Sequence, residues 1–244
     1  MPRANRSFVP GQIWHITHRC HERAFLLKFK RDRRTYLDWI YEARRRYGLC
    51  LLNYVVTCNH VHLLVKDTAE DAIARSMQLI AGRTAQAFNL RKRRQGAFWE
   101  DRYHATAVET GEHLRCCVIY IDLNMVRAGA VSHPADWPHG GYREIQNPPA
   151  RYRMIDLAAL SASCGFERLQ DFQRAHREWV ASAVERGVLT RDTCWTDAVA
   201  VGSAAFVERV KHDLGSRGKW REVVTGASYC MLRQETGAYS LDFG

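Results

Sequence analysis

No run of about 18 apolar residues occurs in the 244-residue chain, so no membrane-spanning helix is expected. The opening stretch, "MPRANRSFVPGQ", lacks the apolar core of a secretory leader, and none is expected. Cysteine pairs of the C-x-x-C type are missing. The eight cysteines (20, 50, 58, 116, 117, 164, 194 and 230) are scattered, which argues against structural zinc. It favours buried free thiols in a reducing, cytoplasmic setting. Repeats and low-complexity tracts are absent too.

What is there reads as ordinary globular protein, with 46% hydrophobic and 11% aromatic residues. The length suits one well-buried domain plus an appendage, or two small domains. The net charge of +10 is uneven. Residues 1–150 hold 23 Lys and Arg against 14 Asp and Glu, whereas residues 151–244 hold 13 against 12. The excess sits in Arg-rich clusters at 28–34, 44–46 and 91–94. Such clusters suit phosphate contacts, although each also fits a solvated helix end. The asymmetry favours a nucleic-acid partner for the first part.

The first part alternates strand and helix signals. "QIWHITHR" (12–19) alternates as a strand does. Residues 31–48 place Tyr36, Trp39, Ile40, Ala43 and Tyr47 at helical spacing, with Gly48 as a stop. Two strands follow, "LCLLNYVV" and "HVHLLVK", joined by a tight turn at Thr57, Cys58 and Asn59. A long helix then carries Ile73, Met77, Ile80, Thr84 and Phe88 on one face. A fourth strand is expected over 101–109, and a helix over 111–124 with Thr110 as its cap. The order β-α-β-β-α-β-α is that of a split βαβ unit, an α+β fold with an antiparallel sheet. Helices on one face would leave the other face or an edge open to a ligand. Around 132–153 the chain turns rich in Pro, Gly, Asn and Trp. This divides an expected domain at 1–150 from a smaller, mostly helical segment at 151–244. Helices are expected there over 167–185 and 204–214, and the second could be half of a helix-turn-helix.

Within this frame His60 and His62, two apart on a strand, face the same side and could hold one metal ion. With 11 histidines in 244 residues, about half an H-x-H arises by chance, so the pair needs support from elsewhere. Tyr120 and Asn124, four apart on a helix, lie on one flank at the border of its apolar stripe. A tyrosine there also fits plain packing, with its hydroxyl hydrogen-bonded. Together these residues offer imidazoles, an amide oxygen and a phenol. That donor set suits Mg²⁺ or Mn²⁺ better than structural zinc.

Three stretches, "NHVHLLV", "GAFWEDRYHATAVETGEHL" and "YIDLNMVRAGAVSHPADWP", resemble the single-tyrosine HUH transposases. Within these the likeness is to the REP-associated tyrosine transposases, and it runs from about residue 8 to 150. The resemblance implies a ferredoxin/RRM-like HUH core at 1–150. His60, His62 and Asn124 would then bind Mg²⁺ or Mn²⁺, and Tyr120 would attack single-stranded DNA beside an imperfect hairpin. It further implies a 5′-phosphotyrosine and a free 3′-OH, with rejoining that needs no ATP. No small-molecule cofactor or membrane is implied, and the protein would act in the cytoplasm, on the nucleoid, as a monomer or homodimer. Met125 stands where the family commonly has proline, a change that touches helix termination more than chemistry.

Arg127, two turns beyond Tyr120, is a candidate phosphate contact with Arg19, Arg83 and Arg102. Trp14, Phe98 and Trp99 are available to stack bases, although core packing explains them as well. His15 and His18 are three apart and face opposite sides, so a satisfied core or surface role is the first expectation for each. A two-histidine phosphoesterase would use His15-Ile16-Thr17, but His60-Val61-His62 does not fit its second motif, and Tyr120 and Asn124 are left unused. An RNA-binding RRM module lacks its aromatic signature here. A hairpin-DNA-binding protein that no longer cuts is the remaining alternative.

Overall fold

The computed structural model describes residues 9–187, 192–226 and 229–234. Residues 1–8, most of the stretch read above for a leader, lie outside it. Element order follows expectation: β1 (Ile13–Arg19), α1 (Lys30–Tyr47), β2 (Cys50–Val56), β3 (His60–Lys66), α2 (Ala72–Lys92), β4 (His104–Val108) and α3 (Glu112–Asp122). Gly48 closes α1 in the left-handed region at φ 68°, where glycine pays no steric penalty. Short α4 (Asn124–Arg127) and α5 (Tyr142–Gln146) follow. Beyond them lie α6 (Leu157–Ser163), α7 (Leu169–Glu185), α8 (Cys194–Asp197), β5 (Ala200–Gly202), α9 (Ala204–Asp213), β6 (Arg221–Thr225) and β7 (Cys230–Gln234). Among the described residues no helix is long and apolar enough to cross a membrane.

The fold is α+β, built on a seven-stranded sheet of order β2-β3-β1-β4-β5-β7-β6. All neighbours are antiparallel except β4 and β5. The first four strands in this order are those of the split βαβ unit. The segment after 150 is mostly helical, and it also extends the sheet by three short strands that sequence reading did not find. Their brevity and the lack of clean alternation explain the miss. The apolar core runs across residue 150, joining Ile13 and Leu64 to Leu160, Phe172 and Trp195.

Alternation in β1 divides the core between two layers. Trp14, Ile16 and His18 face α1, where the His18 ring stacks on Trp99 and Tyr36 meets the same indole. His15 and Thr17 face α3, and the His15 ring meets Tyr120 edge-on. The second face is therefore covered, by α3 and by chain from beyond residue 150, and is not open as expected. The β2 edge is covered as well, which explains why all seven of its residues are buried. Val56 N–H donates to His139 O and Gly141 N–H to Tyr54 O. Gly141 must be glycine because a Cβ would run into Asn53 Oδ1 and Ile155 Cδ1.

Three boundaries differ from expectation. β4 begins at His104 because Asp101 turns the chain locally, its carboxylate accepting from Arg102 N–H. The cap of α3 is Gly111, whose φ of 76° swings the chain out of β4, and Thr110 makes no cap bond. The helix halts at Asp122, so Tyr120 and Asn124 straddle a one-residue break at Leu123. After α9 come a 3-10 turn and β6, not the second helix of a helix-turn-helix.

His18 gives a pH test of the α1-side layer. Its Nε2–H donates to Asp101 O at 2.9 Å, and its Nδ1 is buried with no partner. Burial lowers its pKa to about 4, against the smaller opposing effect of the Asp101 carbonyl. The unfolded ring protonates near 6.5, so unfolding takes up a proton between these values. Stability is full above pH 6.5 and falls as pH drops towards 4. In His18→Gln, urea midpoints measured across that window should fall less steeply, by up to about 1.4 kcal/mol per pH unit.

Candidate active site

The strand register carries the site. In β1 and β3, Arg19 lies opposite His60, Thr17 opposite His62 and His15 opposite Leu64. In β4, His104 lies opposite Thr17 and Thr106 opposite His15. Directly opposed residues share a face, so His60, His62, His15 and His104 all project to the α3 side.

His60 sits half-buried where the β2–β3 turn re-enters the sheet. Thr57 Oγ1 donates to the His60 carbonyl at 2.8 Å and lies 3.0 Å from its Nδ1. Asn59 Oδ1 is 2.7 Å from the same Nδ1, while Asn59 Nδ2 donates to Arg23 O. That second bond orients the amide so that an oxygen, which only accepts, faces the ring. His60 therefore carries its proton on Nδ1 and a lone pair on Nε2.

His62 is buried two residues on, its ring 5.0 Å from that of His60. Its Nδ1 lies 2.9 Å from His15 Nε2 and 3.3 Å from Thr17 Oγ1, with the two imidazoles stacked. His15 Nδ1 in turn meets the Trp195 carbonyl at 2.8 Å. Burial lowers the His15 pKa to about 4; the Trp195 bond opposes this and nearby His104 adds to it.

Tyr120 is 7% exposed. Its ring lies 5.8 Å from His62, 6.0 Å from His15 and 6.1 Å from Trp195. The Arg127 guanidinium is 4.2 Å over the ring, and Nη2 donates to the Tyr120 carbonyl at 2.6 Å. Asn124 opens α4, half-buried. Of the other arginines, Arg19 ends β1 beside His60. Arg102 is exposed just before β4, and Arg83 is exposed on α2, stacked over Trp39. Phe98 and Trp99 are packed, against Phe88 and His18 respectively.

Sequence reasoning missed the groups that hold α3 in place. Asp122, two residues after Tyr120, accepts from Asn53 Nδ2 on β2 at 3.0 Å and from His176 Nε2 on α7 at 2.7 Å. Gln146 Nε2 donates to His176 Nδ1 at 2.7 Å, and Arg177 bonds Gln146 Oε1. Each orientation follows from the next, so the relay, buried at Asp122 and His176 and reaching the surface at Arg177, is ordered throughout. The available signal was His176 itself, an imidazole on the apolar stripe of α7. The α8–β5 segment was missed too. Ala198 O accepts from Thr106 Oγ1 at 2.7 Å and lies 2.9 Å from His104 Nε2, while Ala107 N–H donates to Val199 O.

A histidine pair, a buried tyrosine and a split βαβ sheet thus fall within one stretch of chain. The family model described as "Transposase IS200 like" matches residues 9–124, from just before β1 to Asn124. This part of the chain belongs to the IS200-like transposase family. Among solved structures the chain is similar to a REP-associated tyrosine transposase bound to a REP hairpin. The identity is 20% and the TM-score 0.51, over 63% of this chain and 90% of that one. A Deinococcus radiodurans R1 protein assigned as a transposase is similar at 19% identity and a TM-score of 0.35, over 48% of this chain and 92% of that one. No curated protein matches the sequence.

The Asp122 relay is directly testable. Asp122→Ala leaves the buried His176 Nε2–H without its acceptor and Asn53 Nδ2 with only the longer bond to Val118 O, and should cost about 3 kcal/mol, read as a shift in the urea midpoint. His176→Ala in the same background should add less than it costs alone, because the two act as one unit.

Proposed function

We propose that this chain is a metal-dependent single-stranded DNA endonuclease and strand transferase that works through Tyr120. The observation that carries the reading is the position of the Tyr120 ring, 5.8 Å from the His62 ring, which itself lies 5.0 Å from that of His60, with the Arg127 guanidinium 4.2 Å over the tyrosine. The donor set fits a divalent ion: the His60 proton is held on Nδ1 by Asn59, the second-sphere arrangement usual for metal-binding imidazoles. His60 and His62, through Nε2, and the Asn124 amide oxygen would hold Mg²⁺ or Mn²⁺. Among the described residues no group of three or more His, Cys, Asp and Glu side chains is placed to hold an ion, so the remaining ligands would come from substrate and water. When bound, the ion would polarise the scissile phosphate.

The protein groups then have defined tasks. Tyr120 Oη attacks the scissile phosphorus and forms a 5′-phosphotyrosine as the 3′ oxygen leaves. A second 3′-OH later attacks the same phosphorus and releases Tyr120, so one phosphodiester replaces another. Arg127, already over the ring, is set to offset charge on the phosphate. Phe25 and Phe29, 66% and 55% exposed, offer faces for unpaired bases. They sit in a loop tied to the β2–β3 turn, since Leu27 N–H donates to Cys58 O, and Lys28, Lys30 and Arg31 lie beside them. We assign the chemistry to residues 1–150 and a supporting role to 151–244. Hairpin DNA is the substrate we favour, in keeping with the REP hairpin held by the similar structure.

The test is incubation with labelled single-stranded oligonucleotides carrying hairpins, plus Mn²⁺ or Mg²⁺, resolved on denaturing gels. Wild type should form a covalent adduct that Tyr120→Phe does not. His60→Ala and His62→Ala should lose metal-dependent cleavage by at least about 100-fold while still binding DNA. Cleavage retained in both histidine variants would remove the metal site from the reading. Hairpin binding without any adduct in wild type would make the protein a DNA-binding relative that does not cut.

A further inference from the structure

The polar contacts of His62 extend beyond the β-sheet to a backbone atom near residue 195, far away in sequence. We propose that His15, held by the Trp195 carbonyl, is a positioning residue that fixes the tautomer of His62, making the 194–198 turn a working part of the active site. The inference rests on the reading of His62 as a metal ligand only for its consequence. The hydrogen-bond order itself stands on geometry.

The order can be followed atom by atom. A carbonyl oxygen only accepts, so His15 Nδ1, 2.8 Å from Trp195 O, carries the proton. The ring is wholly buried, and a second proton would place a charge in the core. His15 Nε2 therefore presents a lone pair, and it faces His62 Nδ1 at 2.9 Å. Two lone pairs cannot meet at that distance, so the proton between them belongs to His62 Nδ1. Thr17 Oγ1, 3.3 Å from the same nitrogen, is a weaker second acceptor. His62 is left with its lone pair on Nε2, the form that binds a cation.

His60 reaches the same tautomer by a separate route, through the side chain of Asn59. The two rings are thus ordered alike from opposite ends of the site, one by a local turn and one by the C-terminal segment. That segment is itself stitched to β4, through Ala198 O to Thr106 and Val199 O to Ala107. A shift of α8 would remove the acceptor of His15 and release the order of His62. The 151–244 segment acquires a chemical task from this.

Long-range ¹H–¹⁵N spectra of the metal-free full chain, with His62 assigned by comparison with His62→Gln, read the tautomer directly. Wild type should show His62 with a protonated Nδ1 and a pyridine-like Nε2. His15→Phe keeps a stacked ring but offers no acceptor, and His62 should move to a mixed or Nε2–H form. Mn²⁺ affinity, measured by electron paramagnetic resonance, should fall about 10- to 100-fold in that variant. His15→Gln, whose amide oxygen can accept from His62 Nδ1–H, should restore both readouts in large part. An Nε2–H tautomer for His62 in wild type, or an unchanged tautomer in a folded His15→Phe protein, would overturn the proposal. Should His15→Phe not fold, the wild-type tautomer and the His15→Gln spectrum decide the matter. Failure of wild type to bind Mn²⁺, with the tautomer as stated, would sink the metal reading and leave the relay standing.

Discussion

A buried imidazole must have hydrogen-bond partners, and much of this structure is arranged to supply them. Four histidines share one face of the central sheet with Thr17 and Thr106. Leaving such groups dry and unpaired costs on the order of 1–3 kcal/mol each. The partners come from a turn for His60, from β1 for His62, and from the segment after residue 190 for His15 and His104. Satisfying the sheet therefore ties together parts of the chain that composition alone would set apart.

The same demand explains how α3, the helix that carries Tyr120, is fixed. α3 offers an apolar stripe to the sheet, but a stripe of Leu114, Cys117, Val118 and Ile121 tolerates small rotations. Asp122 removes that freedom, because Asn53 and His176 approach it from β2 and α7 with defined donor atoms. Tyr120 lies two residues away, so its ring is set against His15 and His62 by polar bonds as much as by packing. Dispersion and burial supply the bulk of the stability, while the hydrogen bonds select one arrangement among several of similar density.

Charge is distributed in keeping with this division of labour. The basic excess lies in residues 1–150, on α1, α2 and their connecting loops, while the later segment is nearly neutral. Much of the arginine is also engaged within the protein: Arg91 with Asp32, Arg46 with Glu42, and Arg33 with the carbonyls of Leu27 and Lys28. A charge count thus overstates the cations available to a polyanion, and geometry narrows the set.

Sequence by itself determined the elements of the first half, their order and the face on which His60 and His62 lie. Each of these depends on spacing within a few residues: two for a strand, three to four for a helix, a glycine for a stop. It likewise brought Tyr120 and Asn124 to notice, although not the break at Leu123 between them. What it did not determine was partnership across the chain. His15 meets His62 over a separation of 47 residues and Trp195 over 180, and Asp122 meets His176 over 54. No local period encodes such pairs. They exist only once strand register and helix packing have brought the atoms within 3 Å, and tertiary structure alone decided which histidines order the site.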